Sequence, residues 1–300
     1  MRRALRRVLR EIGIRFPVLQ RYGGRLGLGR LLSGHSGRAQ VRLDGDIIIE
    51  FDLSVPFFRY LYYLHDLSRM PESYLIRCLL GPEDVFVDVG AFIGYWTLLA
   101  AKYASQVFAF EPSLATFTYL QRNLELNPTL ARKVVALSSA LSDHIGYESL
   151  YRPSSQPDLA SLQWFPAQDI VKENVSVTTL DDILLETIVS FIKIDVEGAE
   201  LKVLQGGHRV MQRSRPLVLC ELFEPYQVRF GASCQQIIHF FANYDYQAYR
   251  VQLGKSRKSG VILTPLELGA LNDTTVENAL FVPVEKGQKI AQLRTLDDCG

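Results

Sequence analysis

No run of eighteen apolar residues occurs in the 300-residue chain, so no membrane-spanning helix is expected. The N-terminal arginines have no apolar h-region behind them, so no secretory signal is expected either. Cysteine is scarce. Cys78, Cys220, Cys234 and Cys299 lie far apart with no C-x-x-C pair, which argues against a zinc or dithiol motif and reads as thiols of a reducing, cytoplasmic compartment. Cys220 in particular sits in an apolar strand-like run, where a buried thiol is commoner than a disulfide. Net charge is nearly absent too, at +1. That balance conceals an asymmetry: residues 1–30 hold nine arginines, no lysine and one acid, a local charge of +8, which leaves the rest at −7. A mildly acidic body argues against nucleic acid as a partner.

What is present suits a large core, since 48% of residues are hydrophobic and only 22% charged. From Met1 to about Phe16, Leu5, Val8, Leu9 and Ile12 fall on one helical stripe and Arg2, Arg3, Arg6, Arg7 and Arg10 elsewhere. A basic amphipathic helix of this kind can lie on an anionic membrane surface, giving peripheral membrane contact. An organelle presequence or a solvated helix packed on its own domain are the other readings. Gly23 to Gly37 reads as a linker.

The informative stretch is Val85-Phe-Val-Asp88-Val-Gly90-Ala-Phe-Ile-Gly94. Val85, Phe86, Val87 and Val89 make a run apolar on both faces, the mark of a central parallel strand. Trp96, Leu99, Ala100 and Tyr103 then recur with helical spacing. Strand, glycine turn and helix place a ligand at the strand's carboxyl end, where Gly90 admits a close backbone approach and the helix offers free N–H groups to an anion. A dinucleotide site asks for G-x-G-x-x-G, but the second glycine's place holds Phe92, and Asp88 is a poor neighbour for a pyrophosphate. A ligand carrying a carboxylate and an ammonium fits better, as in the amino-acid end of S-adenosylmethionine. A buried polar Asp in an ordinary turn is the bland alternative.

The same pattern recurs along the chain. Val107 to Phe110 reads as a second strand ending in Glu111, placed to accept ribose hydroxyls, a device that nicotinamide enzymes share. Ser113 reads as the cap of the next helix. Val134 to Leu137 is a third strand, and its exit through Ala140 edges an adenine or is simply a polar loop. Residues 144–174 have no sustained period and read as a substrate lid or a disordered loop. Phe191, Ile192 and Ile194 end at Asp195 and Glu197, two carboxylates that could hold a cofactor, serve as a base for a hydroxyl, or bind a divalent metal. Pairing with Lys193 or Lys202 on a solvated rim is the alternative. Pro216 to Glu221 ends another strand in a carboxylate. Val41 to Phe51 with Asp44-Gly45 reads as a hairpin, Pro56 to Leu80 as two helices capping the sheet, and the strands at Tyr246 and Asn278 as an antiparallel pair closing its edge.

Taken in order, D-V-G-A-x-x-G, F-E-P, A-L-S-D, T-L-D-D, F-I-K-I-D-V-E-G-A-E, R-P-L-V-L-C-E and N-A-L-F-V-P resemble an FkbM-type S-adenosylmethionine-dependent methyltransferase from about Asp84 to Pro283. The resemblance implies a class I methyltransferase (Rossmann-like) α/β fold, with seven mostly parallel strands and the last antiparallel, plus an N-terminal helical and hairpin extension. It also implies S-adenosylmethionine as cofactor and O-methylation of a small-molecule or glycan acceptor: a sugar, glycolipid or natural-product scaffold. By position, Asp88, Gly90 and Gly94 line the methionine part, Glu111 the ribose and Ala140 the adenine, while Asp195, with Glu197, borders the transfer site as candidate catalytic residues. No metal is assigned. The family's G-A-N-x-G departs here at Phe92, which keeps open a non-catalytic binding module; a nicotinamide-dependent oxidoreductase is the remaining rival. The expected organisation is a basic segment and linker over 1–37, a capping hairpin and helices over 38–83, the methyltransferase domain over 84–284 and a polar tail over 285–300.

Overall fold

A computed structural model describes residues 36–64, 66–254, 260–267, 277–291 and 293. The basic N-terminal helix and nearly all of the glycine-rich linker fall outside them. The described chain opens with an antiparallel hairpin of β1 (Arg38–Leu43) and β2 (Ile47–Asp52). Asp44 and Gly45 turn it at φ 45° and 83°, a left-handed backbone that Asp and Gly tolerate best. Helices α1 (Pro56–Leu64) and α2 (Pro71–Leu79) follow, joined through a short 3-10 turn. Each begins at a proline, whose missing N–H costs nothing in the first turn.

The body then alternates β3 (Val85–Val89), α3 (Tyr95–Tyr103), β4 (Gln106–Phe110), α4 (Leu114–Glu125), α5 (Pro128–Ala131) and β5 (Val134–Leu137). Next come β6 (Ala140–Leu141), β7 (Gly146–Pro153), β8 (Ile170–Thr178), α6 (Leu180–Leu184), β9 (Phe191–Ile194), α7 (Glu200–Gln205), α8 (His208–Ser214) and β10 (Leu217–Leu222). The chain closes with α9 (Glu224–Arg229), α10 (Cys234–Ala242), β11 (Tyr246–Leu253), β12 (Val261–Pro265), β13 (Glu277–Pro283) and α11 (Gly287–Ala291). The main sheet has the order β12-β11-β13-β10-β9-β3-β4-β5. Strands β5, β4, β3, β9 and β10 run parallel, and β13 is antiparallel to both β10 and β11. This is the class I methyltransferase arrangement, with the reversed strand β13 between β11 and β10. The expected seven strands become eight because Val261 and Leu263 in the Gly/Ser/Lys-rich excursion bury themselves and pair β12 onto β11.

Alternation along the strands divides the core. Phe86, Phe191, Leu219 and Leu280 face a cluster with the hairpin, α1, α2 and α3. Val87, Val89, Ile192, Ile194 and Cys220 face a second cluster with α6, α7, α8 and α10. The N-terminal hairpin therefore shares the sheet's core: Ile47 and Ile49 are fully buried in the same cluster as Phe86.

Four expectations are corrected. Residues 144–174 are ordered, against the disordered-loop reading: they make up most of the β7–β8 hairpin, which also takes up β6 in a second, three-stranded sheet. Leu150, Pro157, Asp158, Ala160 and Leu162 of this stretch line a cavity, as the substrate-lid reading expects. Ser113 occupies the N-cap of α4 without a side-chain cap bond; its hydroxyl donates to Glu173 Oε1, and Glu173 Oε2 accepts the Leu114 N–H in its place. The tail is folded at its start, where α11 buries Ile290. Cys78 is disulfide-bonded, so the four cysteines are not all thiols, while Cys220 and Cys234 are free and buried. Among the described residues no helix is long and apolar enough to cross a membrane.

Candidate functional site

The site begins where β3 stops. The N–H groups of Gly90 and Ala91 both donate to the Phe110 carbonyl, at 3.0 and 2.9 Å, and the Asp195 N–H donates to the Val89 carbonyl at 3.1 Å. The turn is thereby braced between the ends of β4 and β9. Gly90 has φ +81°, and a Cβ built on it would lie 2.0 Å from the Asp195 carbonyl oxygen. Only glycine fits. Glu111 clamps the next residue, with Oε2 accepting the Phe92 N–H and Oε1 the Ser113 N–H, both at 3.0 Å.

Phe92 itself has φ +52°. In that region Asn is among the best-tolerated non-glycine residues, which gives the family's Asn a backbone reason. A phenylalanine there costs roughly 1–2 kcal/mol of strain. Offsetting contacts come from α1: the Phe92 ring meets Phe57 and Phe58 edge-on at 5.9 and 5.7 Å between centroids. The departure from the family pattern therefore fastens the N-terminal cap onto the turn.

The D-V-E-G-A-E stretch makes a second turn beyond β9. Glu197 adopts φ +56°. Glu200, fully buried, accepts the Val196 and Gly198 N–H groups at 3.1 and 3.3 Å and a hydrogen bond from Gln227 Nε2. Burial pushes its carboxyl up. The last acid of the motif thus holds the turn's shape, a role that spacing alone does not reveal.

Beneath these turns lies a row of buried charge. Asp88 pairs in register with Lys193 across β3 and β9. Lys193 Nζ is 3.0 Å from Asp195 Oδ2 and 4.6 Å from the Trp96 ring centroid. Asp88 accepts from Thr97 Oγ1 at 2.6 Å and is 0% exposed. Glu72 of α2 accepts from Asn278 Nδ2. Burial pushes the Asp88 and Glu72 carboxyls up, with Lys193 opposing it. Lys193 resists burial because Asp195, then Asp88, favours its cation, and its ammonium is pushed up to about 12.

A cavity of about 630 Å³ opens above this row. Of the residues expected at the site, Gly90, Glu111, Ala140, Asp195 and Glu197 line it together. Asp88 and Gly94 do not line it. The pleat of β3 turns Asp88 away beneath the turn to face Lys193, and Gly94 caps α3 beside Leu120, whose side chain would lie 2.3 Å from a Cβ built on it. Asp195 does pair with lysine, but with Lys193 in the interior rather than on a solvated rim. Glu221, Glu72 and Trp96 join the lining. Among the described residues, Asp195, Glu197 and Glu221 bring carboxylate oxygens within 4.8 Å of one another, a set that could hold a divalent cation.

The sequence profile described as "Methyltransferase FkbM domain" matches residues 88–248, more than half of the chain. The chain belongs to the FkbM methyltransferase-domain family. Similar to this FkbM-family chain are "Methyltransferase 1" of Beauveria bassiana, 35% identical over 42% of this chain and 59% of its own length, and "Methyltransferase sdnD" of Sordaria araneosa, 28% identical over 56% and 73%. "Hexuronic acid methyltransferase AglP" of Haloferax volcanii is 31% identical over 47% and 58%. The chain thus spans under two thirds of two of these relatives. A crystal structure of Methyltransferase FkbM from Methylobacillus flagellatus KT overlaps with a TM-score of 0.44 at 16% identity, covering 76% of this chain and 52% of that one.

Proposed function

We propose that the chain is an S-adenosylmethionine-dependent methyltransferase acting on a hydroxyl oxygen of a sugar, glycolipid or natural-product scaffold. One observation carries the reading: a single cavity at the carboxyl ends of adjacent strands holds the bare backbone at Gly90, the acid Glu111, the small Ala140 and the acids Asp195 and Glu197. That donor set fits the cofactor. Gly90 leaves room for close backbone approach, Glu111 offers carboxylate acceptors to a ribose, and Asp195 offers negative charge near a sulfonium. When bound, the cofactor supplies an electrophilic methyl carbon. Asp195 and Glu197 then orient the acceptor hydroxyl and one of the two takes its proton, while Lys193 holds Asp195 in place at 3.0 Å. Calorimetry with S-adenosylmethionine, its demethylated product and NAD tests the assignment. Heat with the first two and none with NAD is expected; silence with the first two refutes it.

Two further results follow at the same site. Asp195→Asn should lower turnover by roughly 10²–10⁴-fold, the usual range for a positioned acid–base group. Its amide keeps the shape, so affinity for the demethylated product should change far less. Turnover equal to the parent chain's, measured by mass spectrometry of the methylated acceptor, excludes Asp195 from the proton transfer.

Glu111 gives a pH dependence. Burial pushes its carboxyl up to about 7, aided by Asp88 and Glu173 and opposed by the Ser113 and Phe92 N–H groups. A folded value above the ordinary one means that its stabilising contribution is complete below the ordinary value of 4.5 and is lost as pH rises through about 7. Hydroxyl donors of a ribose prefer the carboxylate form, so affinity for the demethylated product should rise with pH and level off above about 7, with proton release on binding. Calorimetry in buffers of different ionisation enthalpy reads both effects. Glu111→Gln should flatten the profile, and a Glu111→Gln profile identical to the parent's removes Glu111 from the ligand's surroundings.

A further inference from the structure

The cavity has a lining of two kinds. One is the polar floor of Gly90, Glu111 and Asp195. The other is a wall raised by α1, the turn after it and the β11–β12 edge, where Phe57, Leu61, Leu67, Met70, Leu253 and Ile262 face the same space. All six lie outside the stretch that matches the family profile. Leu61 and Leu67 are buried, whereas Leu253 and Ile262 are 49% and 40% exposed. The wall thus runs from the interior to an apolar rim at the mouth. Of the polar atoms near it, Trp96 Nε1 donates to Ser73 Oγ at 3.2 Å and Asn278 Nδ2 donates to Glu72 Oε1, whereas Glu72 Oε2 is buried without a partner and Gln252 lines the wall between Val251 and Leu253.

A free monosaccharide or sugar acid pressed against the six apolar side chains would strand most of its hydroxyls without partners, at a cost that apolar contact does not return. A molecule with one oxygen at the carboxylates and a hydrocarbon body along the wall meets both kinds of lining. We infer that the acceptor carries its reactive hydroxyl on an apolar body, an aliphatic chain or fused carbocycle, which rests on the α1 and β11–β12 wall and emerges past Leu253 and Ile262. This inference builds on the methyl-transfer reading and narrows its substrate class.

A matched pair of probes tests it: n-octyl and methyl β-D-glucopyranoside, with the same ring hydroxyls and different aglycones. Calorimetry on the full chain, with the demethylated cofactor product bound and octyl glucoside kept below its micelle concentration, should show at least about tenfold tighter binding of the octyl compound. That margin is modest beside what seven buried methylenes can supply. Ile262→Asp places a charge at an already exposed rim position, so the fold should survive, and it should erase the difference while affinity for the cofactor product stays as it was. Equal binding of the two probes, no binding of either, or an octyl preference untouched by Ile262→Asp overturns the inference. If the cofactor product itself gives no heat, the methyl-transfer reading falls alone, because the octyl–methyl comparison without it still decides what the wall accepts.

Discussion

Gly90→Ala will lower the melting temperature by about 10 °C and reduce affinity for the demethylated cofactor product by at least about a hundredfold. Two independent penalties meet at this residue. Its φ of +81° is a backbone state that L side chains rarely adopt, and the added methyl would sit 2.0 Å from the Asp195 carbonyl oxygen and 3.1 Å from the carbonyl carbon. The turn cannot slide away, because Gly90 and Ala91 are both tied to Phe110 and Asp195 is tied to Val89. Relief requires the ends of β3 and β9 to part, and that gap is the floor of the cavity. A cost of roughly 3–5 kcal/mol follows, at the upper end for a single substitution. Gly94→Ala is the informative companion. It shares the left-handed backbone, but its methyl would meet the side-chain end of Leu120 at 2.3 Å, and Gly94 does not line the cavity. It should cost stability while leaving ligand affinity within a few-fold. Differential scanning calorimetry and titration of both variants check the pair; a Gly90→Ala chain that binds and melts like the parent would mean the turn is not the ligand's floor.

The site's location was legible because polar residues stand out against buried parallel strands. Asp88, Glu111, Asp195 and Glu221 each lie in or just past an apolar run, and the topology brings all four strand ends to one edge. Which of the four acids faces a ligand was not legible. Asp88 faces Lys193 through the register of β3 on β9, a pairing between residues far apart in sequence. The β7–β8 hairpin was hidden for a related reason. Its pleat buries Leu150, Val175 and Val177, but Arg152 and Glu173 interrupt the pattern, paired at 2.6 Å. Two charges in a partly buried strand pair read as a loop until their partners are known. Phe92 looked like damage to a binding motif because its compensation, the rings of Phe57 and Phe58, lies in a segment that the motif does not include.

Lys193→Met should destabilise the chain by roughly 3–5 kcal/mol, because truncating one member of a buried charge group leaves its partners uncompensated. Lys193 is 3% exposed and stands among Asp195, Asp88 and Glu72. A methionine fills the aliphatic volume, so the loss isolates the charge. The parent chain's own pH response fixes the sign. The folded ammonium, at about 12, lies above its ordinary value of 10.5, so its contribution is complete below about 10.5 and is lost as pH rises through about 12. In Lys193→Met that contribution is gone at every pH, and the buried acids Asp88 and Glu72, which burial already pushes up, lose the cation that opposes that push, so they take up protons more readily. The deficit should therefore be largest near neutrality and shrink toward acid, whereas a simple cavity would cost the same at every pH. Lys193→Met combined with Asp195→Asn should recover part of the loss, a coupling of roughly 0.5–3 kcal/mol between residues in direct contact. Denaturant melts of the two single variants and the double variant between pH 5 and 9 read all of this. Additive losses with no pH trend would show that Asp195 owes its position to the backbone alone, since its N–H is already held by Val89. A coupled, pH-dependent deficit would instead make Lys193 the group that holds a carboxylate fixed where the proposed chemistry needs one.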